Sequence, residues 1–325
     1  MSDKMEKKDL KIVFFGTPEF AVASLDRIVG NGWQVGAVVT MPDKTAGRGH
    51  KLIESDVKRY AVSKGLKVLQ PAKLKAPDFI EALKEINADL FVVIAFRMLP
   101  REVWEMPRLG TFNLHGSLLP KYRGAAPINR AVMNGETVTG VTTFFLRHEI
   151  DTGDIIDMRQ TTIGPDDNAG DVHDRLMAIG AEMVESTLEK IADGTVTTHP
   201  QPAGVFTPAP KIFKETCLID WTAGAADVHN HVRGLAPYPG AWTVMTDQTG
   251  KQTEVKILRT VRSGKSTDAA PGTCLSDGRH LEVATGNGIL EVAELQPAGR
   301  KRMEADAFLR GYHAVRFGNP TSEDE

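Results

Sequence analysis

An asparagine, a histidine and an aspartate form the pattern in this sequence that is best suited to chemistry. Asn113 and His115 lie two positions apart in TFNLHGSLLP, so in a β-strand their side chains share one face. An amide donor next to an imidazole at a strand end can stabilise a developing oxyanion. Asp151 follows in the turn sequence EIDTGD and could orient the imidazole in space. The alternative is an ordinary strand end whose asparagine and histidine are satisfied within a turn.

Buried strands and amphipathic helices alternate along the first part of the chain and must position these side chains. Residues 11–15 and 89–96 are apolar runs of strand length, and apolar residues follow at helical spacing over 18–29. This alternation predicts an α/β domain over residues 1–194, with a mainly parallel sheet covered by helices. Ligands bind beyond the carboxyl ends of the strands in such sheets, so we expect the site to involve the loops after Phe15, Thr40, Phe96 and Leu114.

A change of composition at residues 195–210 divides the chain. Five prolines and glycines interrupt any periodicity there, and we interpret the segment as an interdomain linker. Beyond it we expect a helix at 225–233, and short strand-like runs then recur with turn signals between them. Residues 211–325 therefore predict a small β-barrel domain.

The composition is typical of soluble globular proteins and excludes several classes of site. Of the 325 residues, 41% are hydrophobic and 25% are charged. The sequence has no apolar run of membrane-spanning length and no signal-like N-terminus, so we expect a cytoplasmic protein with no membrane contact. Cys217 and Cys274 are the only cysteines, and no metal-ligand spacing occurs, so we expect no bound metal. Neither GxGxxG nor GxxxxGK[ST] is present, which argues against a nucleotide cofactor.

The charge balance limits how a nucleic acid could bind. The chain carries 39 Lys and Arg against 42 Asp and Glu, a net charge of −3, whereas nucleic-acid-binding domains are commonly basic throughout. Cations nevertheless cluster in the loop 42–52 and again at 299–302. On composition alone, each cluster could be a solvated surface or a local contact with phosphate groups.

The block NLHGSLLPKYRGAAP, followed 38 positions after Asn113 by Asp151 in DTGD, resembles the folate-dependent formyltransferases. Other blocks are similar to the members of that family that act on methionyl-tRNA, namely FFGTPEFAVASL, TMPDKTAGRGHKL, GAAPINRA, KETCLIDW, VRGLAPYPGAW and LQPAGRKRM. Together they extend from Lys11 to Ala307, nearly the whole chain. The resemblance implies a Rossmann-like N-terminal domain that binds 10-formyltetrahydrofolate and an OB-like C-terminal barrel that helps to bind initiator tRNA.

The resemblance also implies roles for individual residues. The catalytic positions of the family match Asn113, His115 and Asp151, and its tetrahydrofolate-binding loop matches Ser117, Leu118, Leu119 and Pro120. The family uses the basic loop against the tRNA acceptor end, so the expected tRNA contacts are Lys44, Arg48 and Lys51, with further contacts from Arg300, Lys301 and Arg302. The strand end IAFRMLP departs from the family pattern, because Phe96 and Arg97 stand where the family usually shows tyrosine and glycine. The expected pterin pocket therefore differs in detail.

The implied activity is transfer of the formyl group from 10-formyltetrahydrofolate to the amine of methionyl-initiator tRNA, by a monomer that needs no metal. The nearest alternative is formyl transfer to a small amine, which would share the site but would not need the linker, the barrel and the basic loop together. The sequence leaves two further functions open, a formyltetrahydrofolate hydrolase and a non-catalytic RNA-binding module. The intact set of Asn113, His115 and Asp151 argues against the non-catalytic module.

Overall fold

The computed structural model describes residues 5–46, 51–204 and 206–319 of the chain, which divides into two compact units. The first unit comprises the chain up to Gly124 together with Gly140–Thr161 and His173–Pro208. The second comprises Ala125–Thr139, Thr162–Val172 and the chain from Ala209 onward. The units are therefore interleaved in sequence, and two short segments before residue 173 belong to the second one.

A mainly parallel sheet forms the centre of the first unit. The strands up to residue 162 are β1 (Lys11–Gly16), β2 (Gln34–Val39), β3 (Lys44–Ala46), β4 (Lys51–Ile53), β5 (Val68–Leu69), β6 (Leu90–Ile94), β7 (Thr111–His115), β8 (Arg123–Gly124), β9 (Val138–Phe145) and β10 (Ile155–Thr162). Seven of them form one sheet in the order β10–β9–β7–β6–β1–β2–β5. Neighbours from β7 through β5 are parallel, whereas β9 is antiparallel to β7. The strands β3 and β4 form a separate antiparallel pair.

Helices separate these strands, and local sequence explains several of their ends. They are α1 (Glu19–Gly30), α2 (Asp56–Ser63), α3 (Pro77–Ile86), α4 (Arg101–Trp104), α5 (Pro127–Met133) and α6 (Ala169–Ala192). The Ser55 hydroxyl accepts a hydrogen bond from the backbone N–H of Lys58 and caps the start of α2. Asn87 adopts a left-handed conformation, with φ of 49°, and ends α3.

The core of the first unit lies where the apolar runs of the sequence predict it. All five residues of β6 are buried, as are Val13 and Phe15 of β1. The rings of Phe15 and Phe91 lie 5.2 Å apart in a tilted arrangement. Because both faces of these strands are covered, their sequences are continuously apolar instead of alternating.

A nearly closed antiparallel barrel forms most of the second unit. Its elements are β11 (Pro208–Ala209), a 3₁₀ turn (Glu215–Cys217), α7 (Ala225–Leu235), β12 (Ala241–Asp247), β13 (Gln252–Arg262), β14 (Cys274–Ser276), β15 (Leu281–Thr285), β16 (Gly288–Pro297), β17 (Met303–Glu304), α8 (Ala305–Leu309) and β18 (Ala314–Gly318). Six strands follow the order β14–β15–β16–β13–β12–β18. The backbone N–H of Phe317 donates to the carbonyl of Gly272 at 2.8 Å, which brings the two ends of the sheet together. Trp221, Trp242 and Phe308 pack into the barrel core.

The predicted fold class, a mainly parallel α/β domain followed by a small barrel, is confirmed by these two sheets. Within the ranges described above, no helix is long and apolar enough to cross a membrane.

Candidate active site

The strand β7 carries two of the three predicted catalytic residues. Asn113 lies opposite Val93 of β6 and Phe144 of β9, and it keeps part of its surface exposed. His115 ends the strand opposite Thr142 and is buried. No hydrogen bond to the Asn113 side chain occurs among residues 5–46, 51–204 and 206–319, so its amide is available to a ligand.

The imidazole of His115 lies between two oxygen acceptors. Its Nε2 is 2.8 Å from the backbone carbonyl of Tyr122, and its Nδ1 is 3.8 Å from Oδ2 of Asp151. A carbonyl oxygen and an ionised carboxylate can only accept hydrogen bonds. Nε2 is therefore the donor to the Tyr122 carbonyl, whereas 3.8 Å is longer than a hydrogen bond and leaves Nδ1 unbonded to Asp151.

Asp151 lies at the tip of a tight turn between β9 and β10. Its backbone adopts the left-handed conformation, with φ of 55°, and its Oδ2 accepts a hydrogen bond of 2.9 Å from the backbone N–H of Gly124. Gly153 in the same turn lies directly against β9, since a Cβ there would be 1.6 Å from the carbonyl oxygen of Phe145. The sequence DTGD thus supplies both an aspartate that tolerates positive φ and a glycine that permits this close approach.

The predicted folate-binding loop is held by a hydrogen bond within the loop and by contacts with β9. The Ser117 hydroxyl donates to the carbonyl of Lys121 at 2.6 Å, and the Thr142 hydroxyl donates to the carbonyl of Ser117 at 2.7 Å. Leu119 is buried with Phe144 in a small apolar cluster. The members that keep part of their surface exposed are Leu118 and Pro120.

Two residues that the sequence did not single out, Gln201 and Arg123, join this site. The Gln201 amide Nε2 donates to the carbonyl of Asp151 at 2.7 Å and to that of Gly153 at 2.9 Å. Its Oε1 accepts from Nε and Nη2 of Arg123 at 3.1 and 2.5 Å. Both residues line a surface cavity of about 330 Å³ beside the turn, together with Pro120. Gln201 lies in the proline-rich segment that resembles a linker, where no residue-type pattern marks it.

Phe96 and Arg97, the residues that depart from the family pattern, contact their own surroundings. The Arg97 guanidinium donates to the carbonyls of Pro71 and Ala72, the latter at 2.9 Å, and lies 5.5 Å from the Phe96 ring centre. Partial burial lowers the pKa of Arg97. The Phe96 ring packs edge-on against Phe15 at 5.7 Å. The Arg97 side chain, larger than the glycine of the family pattern, therefore fills space between the loops that follow β5 and β6.

The predicted tRNA-contacting residues fall into two groups. Lys44 is exposed in β3 and Lys51 begins β4, whereas Arg48 lies outside the described residues. Arg300 and Lys301 are exposed on the second unit. Arg302 forms a two-point ion pair with Glu294, which raises the pKa of this arginine and neutralises its charge locally. Arg302 is therefore less suited to a phosphate contact than its two neighbours.

The part of the chain that the structure describes contains no candidate metal site. Over those ranges, no group of three or more His, Cys, Asp and Glu side chains is arranged to hold an ion. The candidate site places an imidazole and a carboxylate at the carboxyl edge of a mainly parallel sheet, at the end of the strand that also carries an amide, an arrangement suited to stabilising an oxyanion.

Comparison with known proteins identifies the family. The family model described as "Formyl transferase" matches residues 10–188, and the family model described as "Formyl transferase, C-terminal domain" matches residues 211–313. The chain belongs to the formyl transferase family. It is 52% identical over 314 residues to a methionyl-tRNA formyltransferase of Bacteroides fragilis, covering 95% of this chain and 97% of that one. It is 45% identical, with the same coverage, to one of Porphyromonas gingivalis.

Solved structures share the fold at low sequence identity. An N-formyltransferase from Helicobacter canadensis, in complex with folinic acid and dTDP-3-aminofucose, matches with a TM-score of 0.62 at 20% identity, covering 89% of this chain and 99% of that one. HypX from Aquifex aeolicus, in complex with tetrahydrofolic acid, matches with a TM-score of 0.59 at 18% identity, covering 93% of this chain and 47% of that one.

Proposed function

We propose that this protein transfers the formyl group of 10-formyltetrahydrofolate to the free amine of the methionine carried by initiator tRNA. The observation that carries the proposal is the identity of 45–52% to methionyl-tRNA formyltransferases over about 95% of the chain. The geometry agrees with it, because an imidazole and a carboxylate 3.8 Å apart lie at the end of the strand that also carries the Asn113 amide. The product would be N-formylmethionyl-tRNA for translation initiation.

In the proposed reaction, the amine nitrogen attacks the formyl carbon, and a C–N bond forms as the carbonyl oxygen becomes an oxyanion. The Asn113 amide donates a hydrogen bond to that oxygen, and so does Nδ1 of His115, since its 3.8 Å distance from Asp151 is longer than a hydrogen bond. Asp151 keeps the imidazole oriented and accepts the proton that the attacking amine loses, directly or through a water. The bond from the formyl carbon to N10 of the folate then breaks, and that nitrogen takes up a proton.

The donor is a co-substrate in this scheme, and the residues present fit it. Among the residues that the structure describes, none is hydrogen-bonded to the Asn113 amide, and the loop that follows β7 has partly exposed apolar surface at Leu118 and Pro120. Ser117 and Leu119 shape that loop from inside, through the Ser117–Lys121 hydrogen bond and the burial of Leu119. The scheme requires no metal ion.

The tRNA partner would be bound through a small number of cations. Lys44, Arg48 and Lys51 are proposed to contact the acceptor end, and Arg300 and Lys301 the backbone elsewhere. Because the net charge is −3, the electrostatic contact is local, and binding should weaken with rising salt with a slope set by these few contacts. The protein would act as a monomer in the cytoplasm.

One assay separates the proposed activity from formyl transfer to small amines and from hydrolysis. The purified protein is incubated with 10-formyltetrahydrofolate and methionyl-initiator tRNA, and the aminoacyl ester is analysed for formylmethionine. We expect formylmethionine with this tRNA. Release of formate without an amine substrate would identify a hydrolase, and formylation of small amines in place of the tRNA would identify a transferase of the other class.

A further inference from the structure

We propose that Gln201 is a positioning residue for Asp151, an inference that rests on the proposed function. The contacts of the Gln201 side chain join the turn that carries Asp151 to the strand that holds the Asp151 carboxylate. Gln201 touches neither the imidazole nor the amide of the site in the structure. It would act on the reaction only through the place that it gives to this carboxylate.

The hydrogen bonds of Gln201 allow only one orientation of its amide. Arg123 can only donate, so the atom that faces it must be the carbonyl oxygen Oε1. The atom that faces the backbone carbonyls of Asp151 and Gly153 must then be the amide nitrogen, which has two hydrogens for these two acceptors. The side chain is saturated, so it is held as a fixed link.

The same contacts form a closed ring around the carboxylate. Gln201 donates to the backbone carbonyl of Asp151, and the Asp151 carboxylate accepts from the N–H of Gly124. Arg123, which precedes Gly124 in β8, donates back to Gln201. Movement of the turn relative to β8 would therefore stretch at least one bond of the ring, so the ring holds the Asp151 carboxylate in place against β8.

Gln201 is itself anchored close by in the chain. The backbone N–H and C=O of His199 bond to the C=O and N–H of Ile155, at 2.9 and 2.8 Å. Prolines at 200 and 202 flank Gln201 and restrict its backbone. The first part of the segment that resembles a linker in the sequence is thus hydrogen-bonded to the turn that carries Asp151 and to the start of β10.

The test compares two changes at Gln201 with a matched change elsewhere. Gln201→Glu keeps an acceptor for Arg123 but sets a carboxylate oxygen against two carbonyls, and Gln201→Met removes both donors without adding charge. Gln160→Glu makes the same chemical change at an exposed position of β10. We expect kcat for formyl transfer to fall roughly 10- to 100-fold in both Gln201 variants, with KM for the donor within about twofold, since misplacement of a catalytic group by about 1 Å can cost about 10²-fold. Gln160→Glu should match the wild type.

Two further measurements separate positioning from a general loss of structure. If Gln201 acts through Asp151, then adding Gln201→Glu to Asp151→Asn should lower kcat by less than about twofold relative to Asp151→Asn alone. Hydrogen exchange in the peptide covering 148–155 should become faster in both Gln201 variants, whether or not methionyl-tRNA proves to be the acceptor. The inference is overturned if both variants keep kcat within twofold, if the effects of the double variant multiply, or if exchange in that peptide is unchanged. An inactive wild type with faster exchange in the variants would instead overturn the proposed function alone.

Discussion

Replacement of Asp151 by asparagine should remove the charge of the catalytic turn while keeping its shape. Asparagine retains an oxygen that can accept the 2.9 Å hydrogen bond from the N–H of Gly124. It also tolerates the left-handed backbone that this position adopts, with φ of 55°, better than alanine does. Asp151→Asn therefore isolates the contribution of the carboxylate charge to His115 and to proton transfer.

The structure sets the size of the expected effect. The Asp151 carboxylate and the His115 Nδ1 are 3.8 Å apart, and their side chains are only 15% and 8% exposed, so water screens them weakly. If the imidazole carries a positive charge in the transition state, the two unit charges at about that distance attract by about 4 kcal/mol at an effective dielectric constant of about 20. Since each 1.36 kcal/mol corresponds to a tenfold change in rate, complete loss of this attraction would lower the rate by at most about 10³-fold. Loss of one preorganised group at an oxyanion commonly costs about 10²–10³, so we expect kcat to fall by that amount.

The assay is single-turnover formylation of methionyl-initiator tRNA with saturating 10-formyltetrahydrofolate. Asp154→Asn serves as the control, because it removes a carboxylate three positions away that pairs at 2.5 Å with Arg147. Binding of the donor, followed by fluorescence, should change little in either variant. If Asp151→Asn turns over within about threefold of the wild type, or if Asp154→Asn is equally impaired, the role assigned to Asp151 is refuted.

Three further changes test other parts of the molecule. Arg48→Leu should weaken use of charged tRNA and reduce the slope of log K against log salt by about one, with unchanged donor affinity; weaker donor binding would refute its role. Gly153→Ala should lower stability by about 2–3 kcal/mol, visible as a lower Tm, because its Cβ would lie 1.6 Å from the Phe145 carbonyl oxygen. Burial lowers the pKa of His229, so the unfolded chain binds a proton that the folded ring does not, and stability is lost as pH falls below about 6.5. Tm should therefore decrease from pH 7 to pH 5, and less steeply in His229→Gln; parallel curves would contradict this assignment.

The parts of the site that depend on periodicity could be predicted from the sequence. Asn113 and His115 lie on one strand because a two-residue spacing fixes a shared face, and the run at 89–96 contains the buried strand β6 beside it. The approach of Asp151 to His115 does not follow from the strand pairing, because Phe145 at the end of β9 lies opposite Phe112 near the start of β7. The turn after β9 carries Asp151 back to within 3.8 Å of His115.

Gln201 could not be predicted in this way. Its partners are backbone carbonyls about 50 positions earlier in the chain, and every residue type has such a carbonyl. Because these acceptors have no characteristic spacing or residue type, the sequence contains no pattern that predicts Gln201 as their donor. The prolines around it predicted a linker, since they break periodicity. Proline also restricts the backbone, so the same residues are compatible with a rigid segment packed on the domain.

The interleaving of the two units escaped prediction for a related reason. The helix α5 belongs to the second unit, where the Asn129 side chain donates to the carbonyl of Gly234 at 2.8 Å. A Cβ on Gly234 would lie 2.4 Å from Cγ of Met133, so the two helices α5 and α7 meet at a glycine. Contact between residues about 100 positions apart is invisible to any window along the sequence.

Arg97 shows how a departure from a family pattern can be accommodated beside the candidate catalytic residues. A guanidinium in place of glycine adds volume and charge where the loop follows β6, yet the donors turn to the carbonyls of Pro71 and Ala72 in the loop after β5. Both loops lie at the carboxyl edge of the sheet, where such folds bind ligands. The substitution therefore links two loops of the binding edge. Asn113, His115 and Asp151 are held by β7, β8 and the Gln201 ring, so a change at Arg97 should alter donor affinity more than the rate of the chemical step.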